Sequence, residues 1–223
     1  MFATMVRVAT SERTQRRPRH DPRQTEREIV EAAGRLLHER PFREFTVDEV
    51  MRQTDLKRPA FYVHFRDRHD LALRVVEEVV AELSDMTDRW LTSDEPRTGL
   101  RSALEGIAGV YLRHGPVLRA ISDAAGTDER VEAMYHGIVH KFIDATASHI
   151  RQQQFAGQIP ADLDSNETGR ALIWLNERYF TAALGGHPQT EADKVIDVLE
   201  RIWTSTLYAQ PDVLASKADQ AKQ

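Results

Sequence analysis

The sequence predicts an all-α chain, and three observations carry that prediction. Apolar residues recur at three- and four-residue spacing through most of the 223 positions. No stretch alternates apolar and polar residues for long enough to make a sheet. Thr and Asp residues stand just ahead of apolar runs, as helix caps do, and Thr25 and Thr46 each have a Glu three positions on. The spacing predicts about nine helices: a three-helix head at residues 23–66 and a helical-bundle body at residues 67–210. An arm at residues 1–22 and a loose polar tail at residues 211–223 flank them.

Arg7, Arg13, Arg16, Arg17, Pro18 and Arg19 show little periodicity, which predicts a disordered basic arm. It either lies along phosphates or a minor groove, or has no role. Thr25, with Glu28 in a capping box, starts a first helix whose stripe is Ile29, Ala33, Leu36 and Leu37, until Pro41 stops it. Thr46 and Glu49 form a second capping box, and Val47, Val50 and Met51 share the inward face of a second helix. The pattern fades at Thr54, Asp55 and Leu56, where Asp55 tolerates a left-handed turn. Pro59 fits only the first turn of a third helix, which runs from about Lys57 to His64.

That short helix combines cationic, small and aromatic hydrogen-bonding residues: Lys57, Arg58, Ala60, Phe61, Tyr62 and His64. Such groups suit phosphates and base edges of a major groove. Phe61 and Phe65 anchor the rod to the core. Asp67 caps the next helix, with Arg68 in its first turn, where a cation opposes the helix dipole unless it helps hold a phosphate. The charges agree with a polyanion partner. Residues 1–68 hold 15 cations and 11 anions, the remainder 15 and 24, within a net charge of -5.

Thr46-x-x-x-Val50, Lys57-Arg58-Pro59-Ala60-Phe61-Tyr62-x-His64-Phe65 and Arg68-x-x-Leu71 together resemble the amino-terminal DNA-binding domain of the TetR family of repressors. Asp55 stands where that turn usually has Gly, and Lys57 where Ser or Thr often caps the recognition helix. The resemblance implies groove contacts from Lys57, Arg58, Pro59 and Ala60, phosphate contacts from Tyr62, His64 and Arg68, and a DNA-binding position at Thr46.

Beyond Asp67, the stripe Leu71, Val75, Val79, Leu83, Met86 and Trp90 predicts one long helix linking head to body. Thr92 to Pro96 ends it. Five further helices follow at about 97–114, 116–125, 128–154, 164–184 and 190–208, broken by Gly115-Pro116, Gly126-Thr127, residues 155–163 and Gly185 to Pro188. The segment 171–184 is apolar almost all round, so it needs cover on more than one side. Beside the last helix it can form a four-helix seam with a second copy of the chain.

Within that segment Asn176, Glu177 and Arg178 form a polar island. Either Asn176 and Glu177 orient a ligand in an apolar cavity lined by Ile107, Tyr111, Trp174, Phe180 and Trp203, or the island is an internal hydrogen-bond network among core aromatics. Asn176-Glu177-Arg178-x-Phe180 with Ile202-Trp203-x-x-Ser205-x-x-Tyr208 is similar to the ethionamide-resistance repressor branch of the family. This similarity implies a narrow apolar ligand tunnel with an Asn at position 176, whose occupant spreads the two heads.

Other chemistry is weakly represented. With zero Cys, no disulfide or thiolate chemistry is available. No apolar run approaches the roughly 18–20 residues needed to span a bilayer, and the start of the chain lacks a signal-peptide core, which suggests a cytoplasmic protein. His136 and His140 have metal-compatible spacing without a third ligand, and read as surface or capping residues. No catalytic motif or cofactor loop is found. The expectation is therefore a non-enzymatic, homodimeric bacterial repressor without cofactor or metal, released from a pseudo-palindromic operator by a small hydrophobic effector. A DNA-binding dimer without a ligand switch, or an all-helical lipid-binding protein, is the alternative.

Overall fold

The computed structural model describes residues 21–93 and 96–208, the side chains of residues 96–98 excepted. All but the last two residues of the basic arm expected at residues 1–22, and the whole loose tail expected at residues 211–223, lie outside these residues. Eight α-helices and one short 3-10 turn make up the described chain, with no strand among them.

Helix α1 (Pro22–Glu39) begins earlier than the Thr25 capping box predicts. Asp21 takes the cap, accepting from the Arg23 amide at 3.1 Å, and Pro22 occupies the first turn, where its missing N–H costs nothing. Thr25 is buried inside the helix instead. After the 3-10 turn Phe42–Glu44 comes α2 (Val47–Arg52), where Thr46 Oγ1 accepts from the Glu49 amide at 3.2 Å. Only this half of the expected box forms, because the Glu49 carboxylate turns to Arg52 at 2.5 Å. Helix α3 (Arg58–His64) follows, with Lys57 at its cap and no capping side chain. Asp55 does not use the left-handed region, since no non-glycine residue among those described has positive φ. The turn closes through Thr54 instead, whose hydroxyl donates to the Met51 carbonyl and accepts from the Leu56 amide.

Phe61 and Phe65 are buried with Ile29, Leu36, Phe45 and Val50. Each buried phenylalanine contributes roughly 1.5–3 kcal/mol, which fixes the orientation of α3. This core does not stop at the head. It continues through Leu71, Val75 and Val76 of α4 (Arg68–Leu91) into Val117, Ile121 and Ala124 of α5 (Pro96–Ala125) and Val131 of α6 (Glu129–Phe155).

The body holds α5 (Pro96–Ala125), α6 (Glu129–Phe155), α7 (Ser165–Leu184) and α8 (Ala192–Leu207). The two helices expected on either side of Gly115-Pro116 are one, with Pro116 inside it. Tertiary packing overrides the local signal here. A Cβ on Gly115 would lie 2.8 Å from both Gly185 Cα and the Leu184 carbonyl, so α5 passes directly against the end of α7. Leu112, whose carbonyl Pro116 leaves without its helical donor, is exposed to water. Helix α5 thereby packs against α1, α4, α6, α7 and α8 and organises the molecule. Among the described residues, no helix is long and apolar enough to cross a membrane.

The starts of α4 and α6 hold one another reciprocally. Asp67 caps α4 through Oδ1, accepting from His69 and Asp70 amides, while its Oδ2 accepts from Arg130 Nη1 of α6 at 2.8 Å. Asp128 caps α6 through Oδ1, while its Oδ2 lies 2.8 Å from His69 Nε2 of α4. Each cap thus holds a first-turn side chain of the other helix. Arg130 pulls the Asp67 carboxyl down to about 2, and His69 lowers that of Asp128.

Candidate functional site

The burial of Phe61 turns the opposite side of α3 outward. Lys57, Arg58, Pro59, Tyr62 and Val63 are exposed there, Tyr62 at 53 % and Val63 at 76 %, while Ala60 and His64 are half-buried. Val63 escaped the sequence reading because an isolated apolar residue reads as core, although it falls outside the Phe61–Phe65 face. An exposed valine beside cations suits a thymine methyl. Arg58 is already held in place, with Nη1 2.9 Å from Asp48 Oδ1 and Nη2 donating to the Tyr62 hydroxyl at 3.1 Å. The Tyr62 hydroxyl, then Asp48, raise its pKa, so the guanidinium stays charged. Thr46 is exposed at the start of α2, where its hydroxyl oxygen accepts the cap hydrogen bond.

Arg68 is placed differently from the other cations. Its Nη1 donates to the Phe45 carbonyl at 3.3 Å, its guanidinium lies 4.8 Å from the Phe42 ring centre, and Nη2 is 3.6 Å from Asp128. These contacts explain its position in a helix start without a phosphate: the dipole is opposed, but an aromatic face, a carbonyl and a carboxylate compensate.

The body holds a partly open apolar cavity of about 100 Å³ between α4, α5, α6 and α7. Five of the residues expected to line a ligand site do so: Ile107, Tyr111, Asn176, Glu177 and Phe180. Trp174 does not; it faces Tyr135 and His136, with ring centres 5.9 and 5.5 Å away. Trp203 does not line it either. Its Nε1 donates to Asn176 Oδ1 at 2.9 Å, and its ring meets Trp90 edge-on. The polar island therefore combines both readings, with Asn176 hydrogen-bonded internally and also forming cavity wall. Residues missed from sequence include Val76, Val80, Leu83 and Thr87 of α4 and Tyr135, Val139 and Phe142 of α6. Their helical periodicity was visible, but periodicity does not separate cavity lining from ordinary packing.

His136 and His140 stack loosely at 6.3 Å, and no group of three or more metal-ligating side chains occurs among the described residues. His149 is buried against Trp90, with ring centres 4.4 Å apart.

A helix-turn-helix head with an outward cationic-aromatic helix, carried on a body with an internal cavity, defines a DNA-binding regulator. Residues 29–75 match the bacterial regulatory proteins of the tetR family, and residues 100–209 match the carboxy-terminal domain of the transcriptional regulator EthR. The chain belongs to the TetR family of transcriptional regulators, and within it resembles EthR. It is 29 % identical over 199 residues to the HTH-type transcriptional regulator EthR of Mycobacterium tuberculosis, covering 87 % of this chain and 91 % of that one. Identity to the regulator of the same name from Mycolicibacterium smegmatis is 27 % over 195 residues, covering 86 % and 89 %. A TetR-family regulator structure from Syntrophomonas wolfei aligns with a TM-score of 0.72 at 10 % identity, covering 83 % of this chain and 95 % of that one. Another, from Rhodococcus sp., aligns at 0.70 and 18 % identity, covering 82 % and 98 %.

Proposed function

We propose that this chain is a cytoplasmic, ligand-responsive repressor that binds a pseudo-palindromic operator as a homodimer and is released by a small hydrophobic effector. The observation that carries the switch is that α4 belongs to both sites. Its first turn follows α3 directly and is held by the Asp67–Arg130 and His69–Asp128 contacts, while its Val76, Val80, Leu83 and Thr87 form one wall of the cavity. At about 100 Å³ the cavity is smaller than the roughly 300 Å³ at which ligand pockets usually begin. An effector must part its walls, and parting them moves the helix that carries the head. To weaken the operator complex 100-fold, the effector must favour the parted state by about 2.7 kcal/mol.

In this reading Lys57, Arg58, Pro59, Ala60 and Val63 address the groove, and Thr46, Tyr62 and His64 the flanking phosphates. The dimer forms through α7 and α8, where Ala171, Leu175, Arg178 and Ala182 make one outward stripe and Lys194, Val198, Arg201 and Ser205 another. Twofold pairing of these stripes gives a four-helix seam and sets two α3 helices for half-sites about one DNA turn apart.

Fluorescence anisotropy on DNA from the gene's own upstream region, against scrambled DNA over a salt series, tests the reading. Specific binding should exceed non-specific binding at least about a thousandfold and weaken steeply with salt. Equal affinity for every DNA tried, including DNA selected from random pools, would refute it. A monomeric mass by light scattering would remove the dimer. If no compound and no body substitution, Asn176→Leu included, alters operator affinity, the body is a dimerisation block alone.

A further inference from the structure

The cavity wall contains a charge that the protein leaves incompletely paired. The Glu177 side chain is only 11 % exposed. Its Oε1 accepts from Thr181 Oγ1 at 3.0 Å, but its buried Oε2 makes no hydrogen bond of normal geometry, the Tyr135 hydroxyl interacting with the carboxylate more loosely. The cation beside it, Arg178 Nε, is 3.9 Å from Oε2, beyond hydrogen-bond range, on a side chain 63 % exposed and therefore screened by water. None of the described residues lining the cavity is basic. Asn176 does not supply an acceptor in place of Glu177, because its Oδ1 is engaged by Trp203.

Aromatic rings surround this carboxylate. Tyr111 and Phe180 stack at 5.2 Å, and Tyr135 and Phe142 complete that part of the wall. Burial, with the Glu177 charge adding to it, pushes both tyrosine hydroxyls above the ordinary phenol range, so both stay protonated. An apolar chamber with π-faces and one under-compensated negative charge is the complement of an organic cation.

We propose that the cavity takes an organic ammonium, a protonated primary or secondary amine on an apolar chain. Its N–H donates to Glu177 Oε2, and its charge lies among the rings of Tyr111, Tyr135 and Phe180. This rests on the effector-binding reading above and narrows it to one chemical class. A carboxylate ligand would place like charge beside Glu177. A neutral alcohol could donate the hydrogen bond but would leave the charge uncompensated.

Isothermal titration of the full chain with hexylammonium chloride, hexan-1-ol and sodium hexanoate at neutral pH, repeated with Glu177→Gln, separates these classes. Gln retains an oxygen for Thr181 and removes the charge. The ammonium should bind at least tenfold tighter than the alcohol, with hexanoate weakest, and Glu177→Gln should bring the ammonium to the level of the alcohol. Alcohol or hexanoate binding as tightly as the ammonium would overturn the proposal while leaving the cavity a ligand site. So would a preference unchanged in Glu177→Gln. If none of the three binds, the proposal is overturned, while the effector reading is decided separately by whether Asn176→Leu or any other compound alters operator affinity. Should the variant not fold, the rank order of the three compounds on the natural chain supports or overturns the proposal by itself.

Discussion

Loosening the reciprocal contact between α4 and α6 should weaken both the fold and its hold on DNA. The perturbations are Asp67→Asn, which keeps a capping side chain but drops the charge, Arg130→Gln, and the two together. Arg130, with the capping amides of Asp70 and His69 adding smaller contributions, draws the Asp67 carboxyl from 3.8 to about 2. At about 1.36 kcal/mol per pKa unit this corresponds to roughly 2.4 kcal/mol. The Asp67 side chain is 39 % exposed, however, and solvent screening reduces the pair to about 1 kcal/mol. Each single change should therefore lower Tm by about 2–4 °C in a chain of this size, and the double change by little more. The sign of the pH dependence follows from the depressed folded-state value. The contribution is fully present above the unfolded value of 3.8 and is lost as pH falls towards about 2. Denaturant unfolding of the four proteins at pH 7, 4 and 3 measures the coupling, and anisotropy on operator DNA measures its effect on the head. Strictly additive changes at pH 7, or a coupling as large at pH 3 as at pH 7, would refute the assignment of the shift to Arg130. Unchanged operator affinity in a variant that has lost the coupling would show that the contact stabilises without positioning α3.

Burial against Trp90 pushes the His149 imidazole below its ordinary 6.5, and neither ring nitrogen makes a hydrogen bond of normal geometry, although the Leu91 backbone offsets part of the shift. The unfolded chain therefore takes up a proton before the folded one does. Stability should be complete above 6.5 and fall as pH drops below it, by at most about 1.4 kcal/mol at pH 5.5. His149→Leu should flatten that part of the Tm–pH curve, and an unchanged slope would count against it. Gly115→Ala drives a methyl into the backbone of Leu184 and Gly185 and should cost about 1–3 kcal/mol. A Tm within about 1 °C of the natural chain would show that α5 and α7 separate freely there.

The head was largely legible because its signals are local. Pro59 can stand only in a first turn, Phe61 and Phe65 share a face by spacing alone, and Asp67 precedes its helix at the position a cap requires. What failed was decided elsewhere in the chain. Gly115-Pro116 is a strong local break, but it is outweighed by the close passage of α5 across the end of α7, a contact between residues some 70 positions apart. The position of Arg68 likewise draws on distant parts of the chain, being unfavourable in isolation. The partners that make it acceptable, Phe42 and Asp128, lie far off in sequence.

The cavity shows the same division more sharply. On α7 the lining residues Ile173, Asn176, Glu177 and Phe180 share one face at helical spacing, and Trp174 stands about 100° round from Ile173. Periodicity could therefore have excluded Trp174, and its aromatic character was the misleading signal. Trp203 was misassigned for another reason, since it stands behind Asn176 and holds it by a hydrogen bond while contributing no wall. The α4 residues Val76, Val80 and Leu83 continue the same apolar side that buries Val75 and Val79 as core. A stripe that is core on one flank and cavity wall on the next has no distinguishing composition. The difference is volume left unfilled where four helices meet, and Glu177 marks it because a carboxylate oxygen without a hydrogen bond of normal geometry would be expelled from a filled core.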